Sequence, residues 1–453
     1  MIGLWQLQPS FLFLLNINLQ IINMDFLRGL LGLLVLLGIA WVFSSNRKKI
    51  NWKLVITGVI LQITFGVLIS KVPFVKEIFL SISEVFVIFL SYAGNGAEFL
   101  FGNLVDVSSF GFIFAFQVLP TVIFFSTVTA GLYYLGVLQK IVFGIAWVMS
   151  RTMKLSGAES LSVAGNIFLG QTEAPLLVKP FIMNMTRSEL MTLMTGGMAT
   201  IAGGVLAGYV TFLGGDDPVE QVKYASYLLS ASIMNAPAAV VISKILIPET
   251  KPEEIDSSLK VNTDKLGVNL VDALSNGAAD GLKLALNIGG MLLAFIAIIY
   301  AINGFLVGFI GDFTGLNAWI QQSTDGQFEG FSLEYILGQV FRVLAFVMGI
   351  DWVDSLQVGS LLGQKTVINE FIAYNSLAEM KANGELSAKS VVIATYALCG
   401  FSNFSSIAIQ IGGIGGMAPN KQGELSKLGF TALLAASIAC MMTATVAGMM
   451  SVV

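Results

Sequence analysis

GNIFLGQTEAPLLVKPF (165–181) and GSLLGQKTVINEFIAY (359–374) decide how this chain is read. Both segments are largely apolar, yet each carries a glutamate and a lysine near its middle: Glu173 with Lys179, and Glu370 with Lys365. A helix facing lipid does not tolerate such groups, because even a lenient scale charges at least ~2.5 kcal/mol for a carboxylate at mid-bilayer. Each segment also holds a Gly-Gln pair, Gly170-Gln171 and Gly363-Gln364, and each precedes a long charge-free stretch followed by an uninterrupted apolar run. The stretches have small or polar residues in their middles, ATIAGGVLAG (199–208) and CGFSNFSSIAIQIGG (399–413). The order interrupted segment, broken span, unbroken span therefore occurs twice.

The composition sets the environment of that repeat. Of 453 residues 55% are hydrophobic and 11% charged, under half the roughly 25% charge of a soluble domain, and the mean hydropathy is +0.81. About 20 apolar residues cross a bilayer as a helix. Residues 29–46, 54–70, 107–139, 190–215, 224–243, 284–311, 390–420 and 428–453 qualify, giving eight crossings. They lack the period-two alternation of barrel strands, so the fold class is an all-α integral membrane protein. It has eight transmembrane helices, two re-entrant hairpins, interfacial helices and an inverted repeat. The chain has no histidine, which removes imidazole triads, HExxH zinc sites and imidazole relays. Cys399 and Cys440 lie in apolar stretches and read as lipid- or core-facing fillers. Residues 1–23 carry no charge and read as an upstream extension, with Met24 as the natural start. The net charge of −4, without a dense basic run, gives no nucleic-acid signal.

Charge placement orients the spans. If 157–186 turns back instead of crossing, Arg47, Lys48, Lys49, Lys53, Lys140, Arg151, Lys154 and Arg187 share one side, as the positive-inside rule prefers. That side is the cytoplasm, and Lys381 and Lys389 then fall outside, against the trend. Polar residues 248–266 form a cytoplasmic loop. Val271, Leu274, Ala278 and Leu282, opposed by Asp272, Asn276 and Asp280, predict an interfacial helix after it. The units are 24–156 (scaffold helices 1–3 and interfacial helices), 157–247 (first repeat), 248–345 (loop, interfacial helix, helix 6, external helix) and 346–453 (second repeat). Three crossings separate the repeats, so the second is inverted. Inverted repeats with broken helices meeting at mid-membrane are the architecture of secondary transporters.

Four polar clusters converge in this arrangement: Asn166 with Gln171-Thr172-Glu173, Thr200, Asn369-Glu370, and Asn403 with Ser405 and Ser406. Singly, such amides and hydroxyls serve as interhelical glue; the two glutamates are better explained by a ligand. Lys179 and Lys365 snorkel or act as counter-ions. Without an Arg fork, phosphate or carboxylate ligands are poorly served, whereas a neutral, hydroxyl-rich, hydrogen-bonding solute is better served; sugar hydroxyls or the ring edges of a nucleobase supply the N–H and O–H donors that acceptor-only carboxylates seek.

The strings GNIFLGQTEAPLLVKPF (165–181), MATIAGGVLAGY (198–209), INEFIAY (368–374) and CGFSNFSSIAI (399–409) closely resemble the concentrative nucleoside transporter family, specifically its bacterial sodium-coupled members. The likeness runs from about Met24 to Val453. It implies a homotrimer in the inner membrane, with a mobile transport domain on a fixed scaffold. It also implies a base subsite at Gly170, Gln171, Thr172, Glu173 and Val205, and a ribose subsite at Glu370, Asn403 and Ser406, with Phe401 as a wall. A single sodium ion would sit at Asn166, Leu169, Thr200 and Ile201, largely on backbone carbonyls; no other cofactor is implied. The alternatives are a proton-coupled nucleoside carrier titrating Glu173 or Glu370, a passive channel, and an intramembrane enzyme, which would need a nucleophile–base pair or an acidic metal motif. Purine against pyrimidine preference is left open, with Val205 apolar where a hydroxyl could have met the base.

Overall fold

A computed structural model describes residues 24–256, 258–260 and 267–450, in which every regular element is helical. The proposed extension, 1–23, lies outside the described residues. The principal helices are α1 (Met24–Val42), α2 (Trp52–Lys71), α3 (Pro73–Phe101), α4 (Leu119–Tyr134), α5 (Val137–Met153), α6 (Gly157–Gly165), α7 (Arg187–Ala199), α8 (Gly203–Gly214), α9 (Pro218–Leu246), α10 (Leu270–Asn303), α11 (Leu333–Val347), α12 (Ser355–Val367), α13 (Glu370–Ala382), α14 (Ala388–Leu398), α15 (Phe404–Met417) and α16 (Gln422–Met450). Among the described residues seven helical stretches are long and apolar enough to cross a membrane, and α14 with α15 supplies a shorter, broken pair. These correspond to the eight apolar runs. The 29-residue α3, which carries Lys76, Glu77, Glu84 and Glu98, was not among them.

Both interrupted segments reverse direction. Segment 157–186 begins with Gly157 N donating to Asp256 O (3.0 Å) and ends with Thr186 Oγ1 donating to Glu249 (2.7 Å), so its two ends meet one connecting stretch. In the second segment, Ser387 N and Oγ both donate to Asp354 Oδ2 (3.1 and 2.8 Å), and Gln357 Nε2 donates to Glu385 (2.9 Å). The first hairpin opens where Ser45 N meets Leu246 O (2.9 Å), the end that holds the Arg47–Lys53 loop. The second opens at the other end, where Lys389 pairs with Asp25 (2.7 Å) and Lys381 with Glu220 (3.1 Å). Those two lysines, which the charge rule places on the unfavoured side, are therefore neutralised by acidic partners. The units are inverted relative to each other.

The breaks fall at 200–202 and 399–403, between α7 and α8 and between α14 and α15. They cross side by side: Phe401 N donates to Thr200 O (3.2 Å), and a Cβ on Gly400 would lie 2.8 Å from Ala199 O. Only a residue without a side chain permits that approach. Long helices α9 and α16 back the crossing, and α7 and α14 pack on both. Lipid offers no hydrophobic drive for such contacts, so small residues and buried polar pairs hold them. Ala231, Ala238, Ala239, Ala435, Ala436 and Ala439 are fully or almost fully buried here, and Gln62 Nε2 donates to Thr443 Oγ1 (2.9 Å) between α2 and α16.

Two expectations are corrected. The segment from residue 270 is not a separate interfacial helix but the start of the continuous 34-residue α10. Its buried stripe is Ala273, Gly277, Gly281, Ala285 and Ile288, while Val271 and Leu282 are exposed. Small residues win because a Cβ at Gly281 would lie 2.8 Å from Ile123 Cα of α4, a separation that admits no larger side chain. Helices α1 and α2 pack against α16 and α9 of the repeat. Finally, Cys440 is more than a filler: its Sγ lies 3.5 Å from Ala199 O and 3.3 Å from Cys399 O.

Candidate functional site

Each half of the site is built at the start of a half-helix. Asn369 caps α13 by accepting from Ile372 N (3.0 Å), which sets Glu370 in the first turn, where the helix dipole favours a carboxylate. Asn403 caps α15 in the same way, accepting from Ser406 N (2.9 Å) and from Ser405 Oγ (2.7 Å). With its oxygen so occupied, Asn403 turns Nδ2 to Glu370 Oε2 (2.7 Å). From the first hairpin, Gln171 Nε2 donates to Ser406 Oγ (3.1 Å). Tyr209 OH of α8 donates to Glu370 Oε1 (3.0 Å), its ring stacked on Tyr374 at 4.3 Å.

A string of polar groups therefore runs Gln171, Ser406, Asn403, Glu370, Tyr209, drawing on both hairpins and both broken helices. All five residues are buried, and Gln171 Oε1 has no partner. Tyr209 was missed by the sequence reading although it closes the quoted string 198–209. A buried tyrosine hydroxyl in an apolar span must find an acceptor, and that was the available signal. Gln410 was also missed; one turn beyond Ser406, it donates to Met194 O (3.1 Å) of α7. Tyr209→Phe retains the stacking and removes one donor from Glu370, so we expect about a tenfold weaker Kd for the ligand, in line with one charge-assisted hydrogen bond. Titration calorimetry against the unaltered protein checks it; an unchanged Kd would deny Tyr209 any part in presenting Glu370.

The remaining candidates are disposed as follows. Thr172 reaches α15, its Cγ2 3.0 Å from where a Gly413 Cβ would stand. Val205 is buried one turn ahead of Tyr209, and Phe401 is half-buried beside Thr200. Glu173 is exposed and folded back over Gly170, where its Oε2 fills the space of a Cβ. Lys179 is exposed, but Lys365 neither snorkels nor sits in solvent. It is buried and donates to Ala397 O (2.8 Å), placing a cation at the C-terminal end of α14.

Beside the first break, Asn166 is fully buried, its Nδ2 donating to Ser162 O (2.9 Å) and its Oδ1 without a partner. Thr200 Oγ1 spends its proton on Gly196 O (2.9 Å), leaving its lone pairs free. Leu169 and Ile201 are buried, and Gly203 N donates to Phe168 O (3.4 Å), tying the hairpin tip to the break. The donor set is neutral oxygen at the negative end of a half-helix, which suits a hard monovalent cation.

Inverted hairpins, two crossed broken helices and a polar centre define a secondary transporter. The sequence matches the family descriptions "Na+ dependent nucleoside transporter N-terminus" over residues 31–104, "Nucleoside recognition" over 115–216 and "Na+ dependent nucleoside transporter C-terminus" over 227–448. The chain belongs to the sodium-dependent, concentrative nucleoside transporter family, and it is a multi-pass membrane transporter and not an enzyme. It is 42% identical to the uncharacterized transporter YutK of Bacillus subtilis over 94% of this chain and 100% of that one. To sodium/nucleoside cotransporter 1 of Mus musculus it is 38% identical over 93% of this chain, which spans 63% of the mouse protein. Its fold matches CNTnw in an inward-facing substrate-bound state at 38% identity and a TM-score of 0.85, covering 95% of this chain and 100% of CNTnw.

Proposed function

We propose that this protein is a sodium-coupled symporter that imports uridine-like nucleosides across a bacterial inner membrane. The observation that carries the reading is the buried string Gln171, Ser406, Asn403, Glu370, Tyr209, with the unpartnered Asn166 oxygen on the same first hairpin as Gln171. Glu370, Asn403 and Ser406 take the ribose hydroxyls. Gly170, Gln171, Thr172, Glu173 and Val205 take the base, and Phe401 closes the side. Sodium binds Asn166, Leu169, Thr200 and Ile201, drawing the first hairpin onto the broken helix. That pre-forms the base side and removes the penalty of a sparsely populated competent state. The repeat moves as a unit against helices α4 and α10, and three copies assemble through the scaffold.

Purified protein in liposomes is expected to accumulate labelled uridine against its gradient under an inward sodium gradient, at least about tenfold above choline controls, as a coupled carrier of this type requires. Accumulation driven by a proton gradient alone would replace sodium with proton coupling. Equilibration without accumulation would indicate a passive pore. Competition by a panel of nucleosides then ranks pyrimidines against purines.

A further inference from the structure

The point where the two breaks cross is held by residues that belong to neither subsite. Asn235, in the middle of α9, donates Nδ2 to Ala199 O (2.6 Å) and to Cys399 O (2.8 Å). Cys440, in the middle of α16, sets Sγ on the same two carbonyls. Asn235 and Cys440 occupy corresponding places in the two repeats, and both are fully buried. Ala199 ends α7, and Cys399 follows directly on α14, so each carbonyl lies at the negative end of a half-helix. Two such ends facing each other away from water repel and lack partners unless a donor stands between them. Because both acceptors are carbonyls, the orientation of the Asn235 amide is dictated, and its Oδ1 is left without a partner.

The carbonyls it joins have functional neighbours. Thr200 and Ile201 directly follow Ala199, and Phe401 and Asn403 closely follow Cys399. We propose that Asn235, assisted by Cys440, is the positioning residue that couples the cation subsite to the nucleoside subsite. A cation that orders Thr200 and Ile201 fixes the Ala199 carbonyl, and the shared amide carries that constraint to Cys399 and so to the break that presents Asn403. This rests on the assignment of sodium and nucleoside to the two subsites given above. Coupling of this kind is reciprocal.

The test is uridine titration calorimetry on the full protein in saturating sodium and in choline, for the unaltered protein, Asn235→Ala, Cys440→Val and Cys440→Ser. The ratio of the two Kd values is the readout. Asn235→Ala is expected to lower that ratio about tenfold, with Kd in choline nearly unchanged, and Cys440→Val about threefold, while Cys440→Ser retains it. If the unaltered protein shows no difference between sodium and choline, the assignment of the subsites fails, and this inference with it. If that difference is present and Asn235→Ala keeps it, or loses affinity equally in both media, the inference is overturned and Asn235 is structural. Should Asn235→Ala not fold, Cys440→Val against Cys440→Ser decides: an unchanged ratio in both overturns the inference.

Discussion

Glu370→Gln abolishes uridine uptake, with binding weakened by roughly two to four orders of magnitude, if Glu370 presents an ionised carboxylate to the ribose. Tyr209 OH and Asn403 Nδ2 already donate to it at 3.0 and 2.7 Å. A carboxylate offers about four lone-pair sites, so two remain for sugar hydroxyls. In glutamine one oxygen becomes an NH2 group, which either opposes the Asn403 amide donor to donor or forces the Tyr209 hydroxyl to turn from donor to acceptor, and in both cases removes an acceptor from the sugar. Hydrogen bonds to a charged group contribute about 1.5–3 kcal/mol each, and the loss of two gives the stated range. The volume is conserved and the residue sits at a helix start, so the protein should remain folded. Uptake and calorimetric Kd on the purified variant are the measurements; transport like that of the unaltered protein would refute the role.

The second large effect is expected at the cation. Thr200→Val keeps the shape of the side chain and removes the hydroxyl oxygen at the first break, whose proton goes to Gly196 O (2.9 Å). The sodium concentration for half-maximal uptake should rise about tenfold or more. Uridine affinity should weaken at limiting sodium and return near its original value at saturation, since a cation that selects the competent state only rescales its population. The sign of the effect separates this from damage to the nucleoside subsite, which would persist at any sodium concentration. An unaltered sodium dependence would remove Thr200 from the site.

Much of the fold was legible in the chain because a bilayer admits few solutions. Eight apolar runs had to be helices, and glutamates inside otherwise apolar segments had to leave the lipid face. The breaks were readable for the same reason: small and polar residues at 199–208 and 399–413 weaken a span in its middle. Helix α3 was not counted because Lys76, Glu77, Glu84 and Glu98 interrupt its apolar count, although they do not interrupt a helix. The start of α10 was read as an interfacial helix because Val271, Leu274, Ala278 and Leu282 oppose Asp272, Asn276 and Asp280; the helix instead runs on unbroken, with glycine and alanine facing the neighbouring helix.

The polar site was legible by residue type and not by pairing. Glu370, Asn403, Ser406 and Gln171 stand out as polar residues in apolar surroundings, but the acceptor Asn403 needs for its Nδ2 lies 33 residues away on the second hairpin. Tyr209 and Asn235 looked like ordinary members of apolar helices until their partners came into view.

What the sequence determined by itself is the class: helical, membrane-embedded, twice repeated and broken at mid-span, since each of these follows from one-dimensional patterns of charge and apolarity. What only the tertiary structure decided is which groups meet. Asn235 bridges two carbonyls 36 and 164 residues away, and Tyr209 reaches a carboxylate 161 residues away. The physical reason is that a hydrogen bond is fixed over an ångström or less by the crossing of helices, whereas hydrophobic periodicity constrains only which face of each helix turns inward.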